Sequence, residues 1–175
     1  ADIPAKKVIR EDIPKEPRQV EAREQTVYRN VPSDAIYKAY KMCSRLGADY
    51  YTCDMISDIL SNGRSARMYR KLVQEKQLFS SISAYLTGEL DEGLFIITGR
   101  ILPDVPMDVA EQAIEVELQL LVNEYVTDYE LEKVKNKVEA AQIFADTSVL
   151  NKAMTLGYYE MLGDVSLINT ELNMY

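Results

Sequence analysis

The chain has 175 residues, 47% of them apolar, which supports one domain with a core and leaves little room for two. Its formal charge of -8 and pI near 4.7 speak against a broad phosphate-binding surface, and so against nucleic acid as a partner. The chain contains no His, which removes the usual general base, the Ser/His and Cys/His nucleophile pairs and the commonest metal ligand.

Residues 1–19 carry Pro4, Pro14 and Pro17 among mixed charges with no sustained period, and read as a linker or extended arm from an upstream domain. The opening ADIPAKKVIREDIPKEP lacks the apolar core of a signal peptide, and no apolar run approaches membrane-span length. The chain therefore reads as soluble, with its compartment, cytoplasmic or periplasmic or secreted, left to whatever precedes Ala1. Residues 20–175 read as a single domain, truncated at its C-terminal end.

Within it, Glu21 to Val31 is strand-like around Thr26, Val27 and Tyr28, and AIYKAYKM after the NVPSD break predicts a second strand. Cys43 and Cys53 lack C-x-x-C spacing and read as buried free thiols. Asp49 to Leu60 has helical spacing, with Tyr51, Met55, Ile56, Ile59 and Leu60 on one side and Asn62-Gly63 as a stop. A second helix follows, with Met68, Tyr69, Leu72 and Val73 inward and Arg67, Arg70, Lys71 and Glu75 outward.

SSISAYLTG and GLFIITGRIL predict two strands of a hairpin turning through GELDEG. Pro106 opens a helix whose predicted buried stripe is Val109, Ala113, Val116, Leu120 and Leu121. Thr127 to Glu130, TDYE, is a capping box that starts a long charged helix to about Ala145. Helical stretches Ser148–Leu162 and Ser166–Met174 follow. The order ββααββαααα predicts an α+β fold, a mostly antiparallel sheet with helices packed on one face.

Four collinear stretches carry a family resemblance: EPRQ; ADYYTCDMISDILSNGRSARMYRKLVQEKQL; LDEGLFIITGRILPD; and VTDYELEKVKNKVEAAQIFADTSVLNKAMTLGYYEMLGD. Across about Glu16 to Leu172 the chain resembles the C-terminal, non-zinc half-domain of the insulinase, pitrilysin and mitochondrial processing peptidase family, zinc peptidases with an inverted H-x-x-E-H motif. The resemblance implies a processing-peptidase-like half-domain whose longer parent is a zinc metalloendopeptidase, with the zinc and its general base in an upstream domain. It implies no metal and no catalytic residue in this chain, and it implies as partners the upstream domain, a homologous subunit in some members, and a peptide substrate. The different-class reading is an assembly subunit of the same family that lost protease activity.

In many family members the second domain supplies an Arg seven residues before a Tyr, in a pattern resembling L-R-x-x-x-x-L-x-Y, and the two hold substrate over the zinc. Laid on LVQEKQLFS, those positions fall at Val73 and Ser80, and neither matches. The remaining candidates for substrate contact are Arg64, Arg67 and Arg70, which recur every three residues and form one local basic strip, against the plainer reading of a solvated helix face. Asp54 and Asp58 share a helix face at i and i+4, but without His or a third ligand they read as a solvated acidic face. Glu89, Asp91 and Glu92 suit a hairpin tip, and the adjacent pairs Tyr50/Tyr51 and Tyr158/Tyr159 suit packing with one ring inward and one nearer the surface.

Overall fold

The computed structural model describes residues 14–175, so the first part of the predicted arm lies outside the described residues. Residues 14–30 belong to one unit and carry no helix or strand, while residues 31–175 form a second, larger unit. The strand expected between Glu21 and Val31 is therefore absent. Thr26, Val27 and Tyr28 are β-formers, but among the described residues of their own unit there is no second strand to pair with, and an isolated strand has nothing to hold it.

The larger unit is built on three antiparallel strands, β1 (Ala35–Lys41), β2 (Phe79–Leu86) and β3 (Leu94–Ile101), in the order β1-β3-β2. The central strand alternates strictly: Phe95, Ile97 and Ile101 point to the helices, whereas Thr98 and Arg100 point away. The register aligns Tyr37 with Thr98 and Thr98 with Ser83, so the outward face is a row of polar side chains. The sheet is covered by helices on its apolar face, as the patterning predicts.

Helix α1 (Tyr50–Ser61) lies against β2 and buries Ile59 and Leu60. Its last residue also guards the sheet: the Ser61 hydroxyl accepts from the Ala84 N–H at 2.7 Å and reaches the Ala84 carbonyl at 3.0 Å. These are edge groups of β2, and occupying them blocks pairing by another strand. The next helix, Tyr69–Glu75, is wound as a π-helix, with the Lys76 N–H closing on the Lys71 carbonyl. Gln77 follows at φ 51°, and the chain enters β2 two residues later.

Helix α2 (Met107–Asn123) starts after Pro106, which stands at the cap rather than inside the first turn. Its buried residues are Ala110, Ala113, Ile114 and Glu117, while Val109, Val116 and Leu120 of the expected stripe are exposed. The helix is apolar on more than one side, so spacing alone does not choose a face. Ala110 and Ala113 join Ile114 in the core, and the larger Val109 and Val116 stay outside it. Lys38 on β1 ties this helix down through Glu111 at 2.6 Å and Glu115 at 2.7 Å. Burial opposes the Lys38 charge, but the two carboxylates carry its pKa up to about 12.

Helix α3 (Asp128–Ala145) begins at the predicted capping box, with the Glu130 N–H donating to the Thr127 hydroxyl at 3.2 Å and the Thr127 N–H to Glu130 at 3.0 Å. Helix α4 (Val149–Leu162) starts at Ser148 and ends at Gly163, whose φ of 93° no side chain would favour. The last predicted helix is broken in two, a single turn α5 (Leu167–Thr170) and a 3₁₀ turn Glu171–Met174. The core joins Ile36, Leu60, Met68, Leu72, Phe79, Ile97 and Ile114 across sheet and helices.

Candidate functional site

The segment from Ser61 to Ser81 is where the family pattern places substrate-holding residues. After α1, Asn62 and Gly63 turn the chain, Gly63 at φ 94° with open space around its missing side chain. The turn delivers the three arginines to different surroundings. Arg64 is exposed, with no ion-pair partner among the described residues. Arg67 grips Glu130 through two parallel bonds, each 2.7 Å, a fork that fixes the start of α3 against this segment. Arg70 lies at the surface, 3.7 Å from Glu75.

The three guanidinium groups are therefore not one cationic strip. Arg67 is consumed by structure: its guanidinium, together with the Thr127 N–H and hydroxyl, pulls Glu130 down to about 2 despite partial burial. At the two family positions, Val73 is half-buried against the core, and Ser80 is exposed with its hydroxyl donating to the Arg100 carbonyl at 3.3 Å. Neither side chain offers a cation or a phenol to a peptide.

The acidic candidates are also engaged. Asp54 accepts from the Tyr175 hydroxyl at 2.6 Å and is half-buried, where a solvated face was expected, and Asp58 accepts at the surface from the Asn62 side chain. Burial pushes the Asp54 carboxyl up, and the Tyr175 bond only partly offsets it. Among the described residues no three Cys, Asp or Glu side chains are grouped to hold a metal ion.

Two charged features went unread in the sequence. Arg45, 6% exposed, packs its guanidinium over Tyr50, 4.3 Å from the ring centroid, donates to the Tyr51 hydroxyl at 3.0 Å and pairs with buried Glu171. Tyr51 in turn meets Tyr175 edge to face at 5.0 Å. The Tyr50/Tyr51 pair was visible in the sequence; its partners Glu171 and Tyr175, more than a hundred positions away, were not. The second feature is Glu117, 4% exposed on the inner face of α2, whose carboxyl is pushed up by burial while Lys76, Lys71 and Arg67 act against that. The second tyrosine pair is as expected, with Tyr159 buried and Tyr158 nearer the surface, donating to the Gly88 carbonyl at 3.2 Å.

A helix-covered antiparallel sheet in this element order is the half-domain architecture that the family resemblance implies. Residues 1–138 match the model of the Peptidase M16 inactive domain, and the chain belongs to that family. It is 26% identical over 159 residues to the zinc protease PqqE of Helicobacter pylori, covering 83% of this chain and 36% of PqqE. Among solved structures, a protease from Helicobacter pylori superimposes with a TM-score of 0.79 at 22% identity, over 84% of this chain and 35% of that one. The inactive peptidase domain of a proposed zinc protease from Bordetella parapertussis gives 0.72 at 21% identity, over 85% and 81%. The chain thus spans about a third of the length of the Helicobacter relatives. No helix among the described residues is long and apolar enough to cross a membrane.

Proposed function

We propose that this chain is the non-catalytic half of a zinc-dependent metallopeptidase, closing the chamber in which an upstream, zinc-bearing domain hydrolyses peptides. The observation that carries the reading is the state of the Ser61–Ser81 segment: the family framework is intact, yet Val73 and Ser80 replace the substrate-holding Arg and Tyr, and Arg67 is locked to Glu130. In the longer protein, zinc would polarise the scissile carbonyl and activate water. This half contributes enclosure and packing. Arg64, exposed and unpaired among the described residues, is the side chain left to meet a substrate carboxylate.

Loss of both positions also implies a division of labour, in which a homologous partner subunit supplies the Arg and Tyr. The test is peptide cleavage by the longer protein mixed with such a partner, before and after the partner's Arg and Tyr are replaced. Cleavage that needs the partner and disappears with those replacements supports the reading; full activity of the longer protein alone sinks the division of labour. The second reading, an assembly subunit without protease activity, draws on the same missing pair and predicts no cleavage in any mixture.

A further inference from the structure

The outward face of the sheet, opposite the helices, holds a pocket of about 190 Å³. Arg100, on the central strand, lies in it between Ala35 of β1 and Ser81 of β2, both small, with Tyr37, Thr98 and Ser83 forming the next row of the same face. Small neighbours leave space beside the guanidinium. That group is exposed and has no partner among the described residues, and the hydroxyls of Tyr37, Ser81, Ser83 and Thr98 are likewise committed to no other described side chain or backbone group. No carboxylate lines the pocket, although acidic residues outnumber basic ones 28 to 20 in the chain.

We infer that this pocket binds a carboxylate of a peptide, with the Arg100 fork taking both oxygens and the hydroxyls of Tyr37, Ser81 and Ser83 donating around it. The inference deepens the proposed function and rests on it for one thing, that the ligand is a peptide. Charge and size choose the rest. A lone cation ringed by hydroxyl donors, on a chain of formal charge -8, selects an anionic group, and a planar carboxylate matches the guanidinium fork. The volume is below the ~300–1,000 Å³ that takes a whole drug-sized ligand, so the pocket receives one group of a longer molecule. Its place agrees: Ser80, where the family pattern has its substrate-holding Tyr, donates to the Arg100 carbonyl at 3.3 Å. Arg100 itself belongs to neither family position. Within the Ser61–Ser81 segment Arg64 is the cation left, exposed on a turn, whereas Arg100 stands in a pocket with donors around it.

Surface plasmon resonance tests this, with the longer protein immobilised and a degenerate decapeptide pool lacking Asp and Glu injected in three forms: with a free C-terminal carboxylate, as the C-terminal amide, and as the amide carrying one Glu. The expected result is that at least one acidic form binds about fivefold or more tighter than the plain amide. Preference for the first form alone assigns the pocket to a chain terminus, and preference for the Glu form assigns it to an acidic side chain. Arg100→Ala should remove the preference and leave binding of the plain amide unchanged, and Arg100→Lys should keep only part of it, because a lysine lacks the fork. Equal binding of the three forms, or no binding of any, overturns the inference. A preference that survives Arg100→Ala and falls with Arg64→Ala also overturns it and gives the carboxylate to Arg64. Zinc content and cleavage by the same preparation report separately on the proposed function: an Arg100-dependent preference without either retains the pocket and removes the peptidase, whereas zinc and cleavage without the preference do the reverse.

Discussion

Gln77 is the one residue of the π-helix-to-β2 turn whose backbone works against its side chain, because at φ 51° it occupies a region that glycine takes freely. Gln77→Gly should therefore raise stability by about 1 kcal/mol, read as a higher urea midpoint at unchanged slope. An unchanged or lower midpoint would mean the turn carries no strain. Two carboxylates set opposing pH dependences. Glu130 has a folded pKa below its ordinary 4.5, so its contribution is present above pH 4.5 and is lost as pH falls toward 2. Glu117 has a folded pKa above 4.5, so its buried charge costs stability above that raised value and the cost fades as pH falls toward 4.5. Acid titration of unfolding should show stability rising and then falling as pH drops. Glu117→Gln should reduce the rise to the part that Asp54, raised by burial likewise, contributes, and Arg67→Ala should weaken the fall and return the Glu130 titration toward 4.5 by NMR. A Glu117→Gln protein with an unaltered profile would place the titration elsewhere.

Gly99, in the central strand, is where the sheet meets its own side-chain layer. A Cβ there would stand 2.6 Å from the Phe79 ring, so Phe79 on β2 packs flat across the glycine. Gly99→Ala should cost about 1–3 kcal/mol by overpacking, and adding Phe79→Leu should recover part of it; a double mutant no more stable than the additive sum would break the link. The elements best legible in the sequence were those with one signal and one answer. The capping box at Thr127 placed α3, and alternation in SSISAYL and LFIITGRI placed β2 and β3. Where the sequence offered more than one solution, tertiary packing chose: α2 turned its small alanines inward, and Thr26 to Tyr28 found no strand to join. The π winding of Tyr69–Glu75 has no side-chain signature in that segment. The candidate site was legible as a departure from the family pattern at Val73 and Ser80. Its lock was not, because Glu130 meets Arg67 from 63 residues away.

At the scale of the whole molecule, the described residues form a framework: a covered sheet, a clamp joining Arg67 to Glu130, and a cage around Arg45 that holds Glu171 and Tyr175 against α1. The chain belongs to the Peptidase M16 inactive domain family. The most direct measurement is zinc content together with cleavage of a mixed peptide library, made on this chain and on the longer protein, the latter alone and with a homologous partner. One zinc per longer protein, with cleavage in that protein or its mixture and neither property in this chain, is the predicted result. Stoichiometric zinc or cleavage in this chain alone would contradict the account, and their absence from every form would leave a scaffold in place of a peptidase.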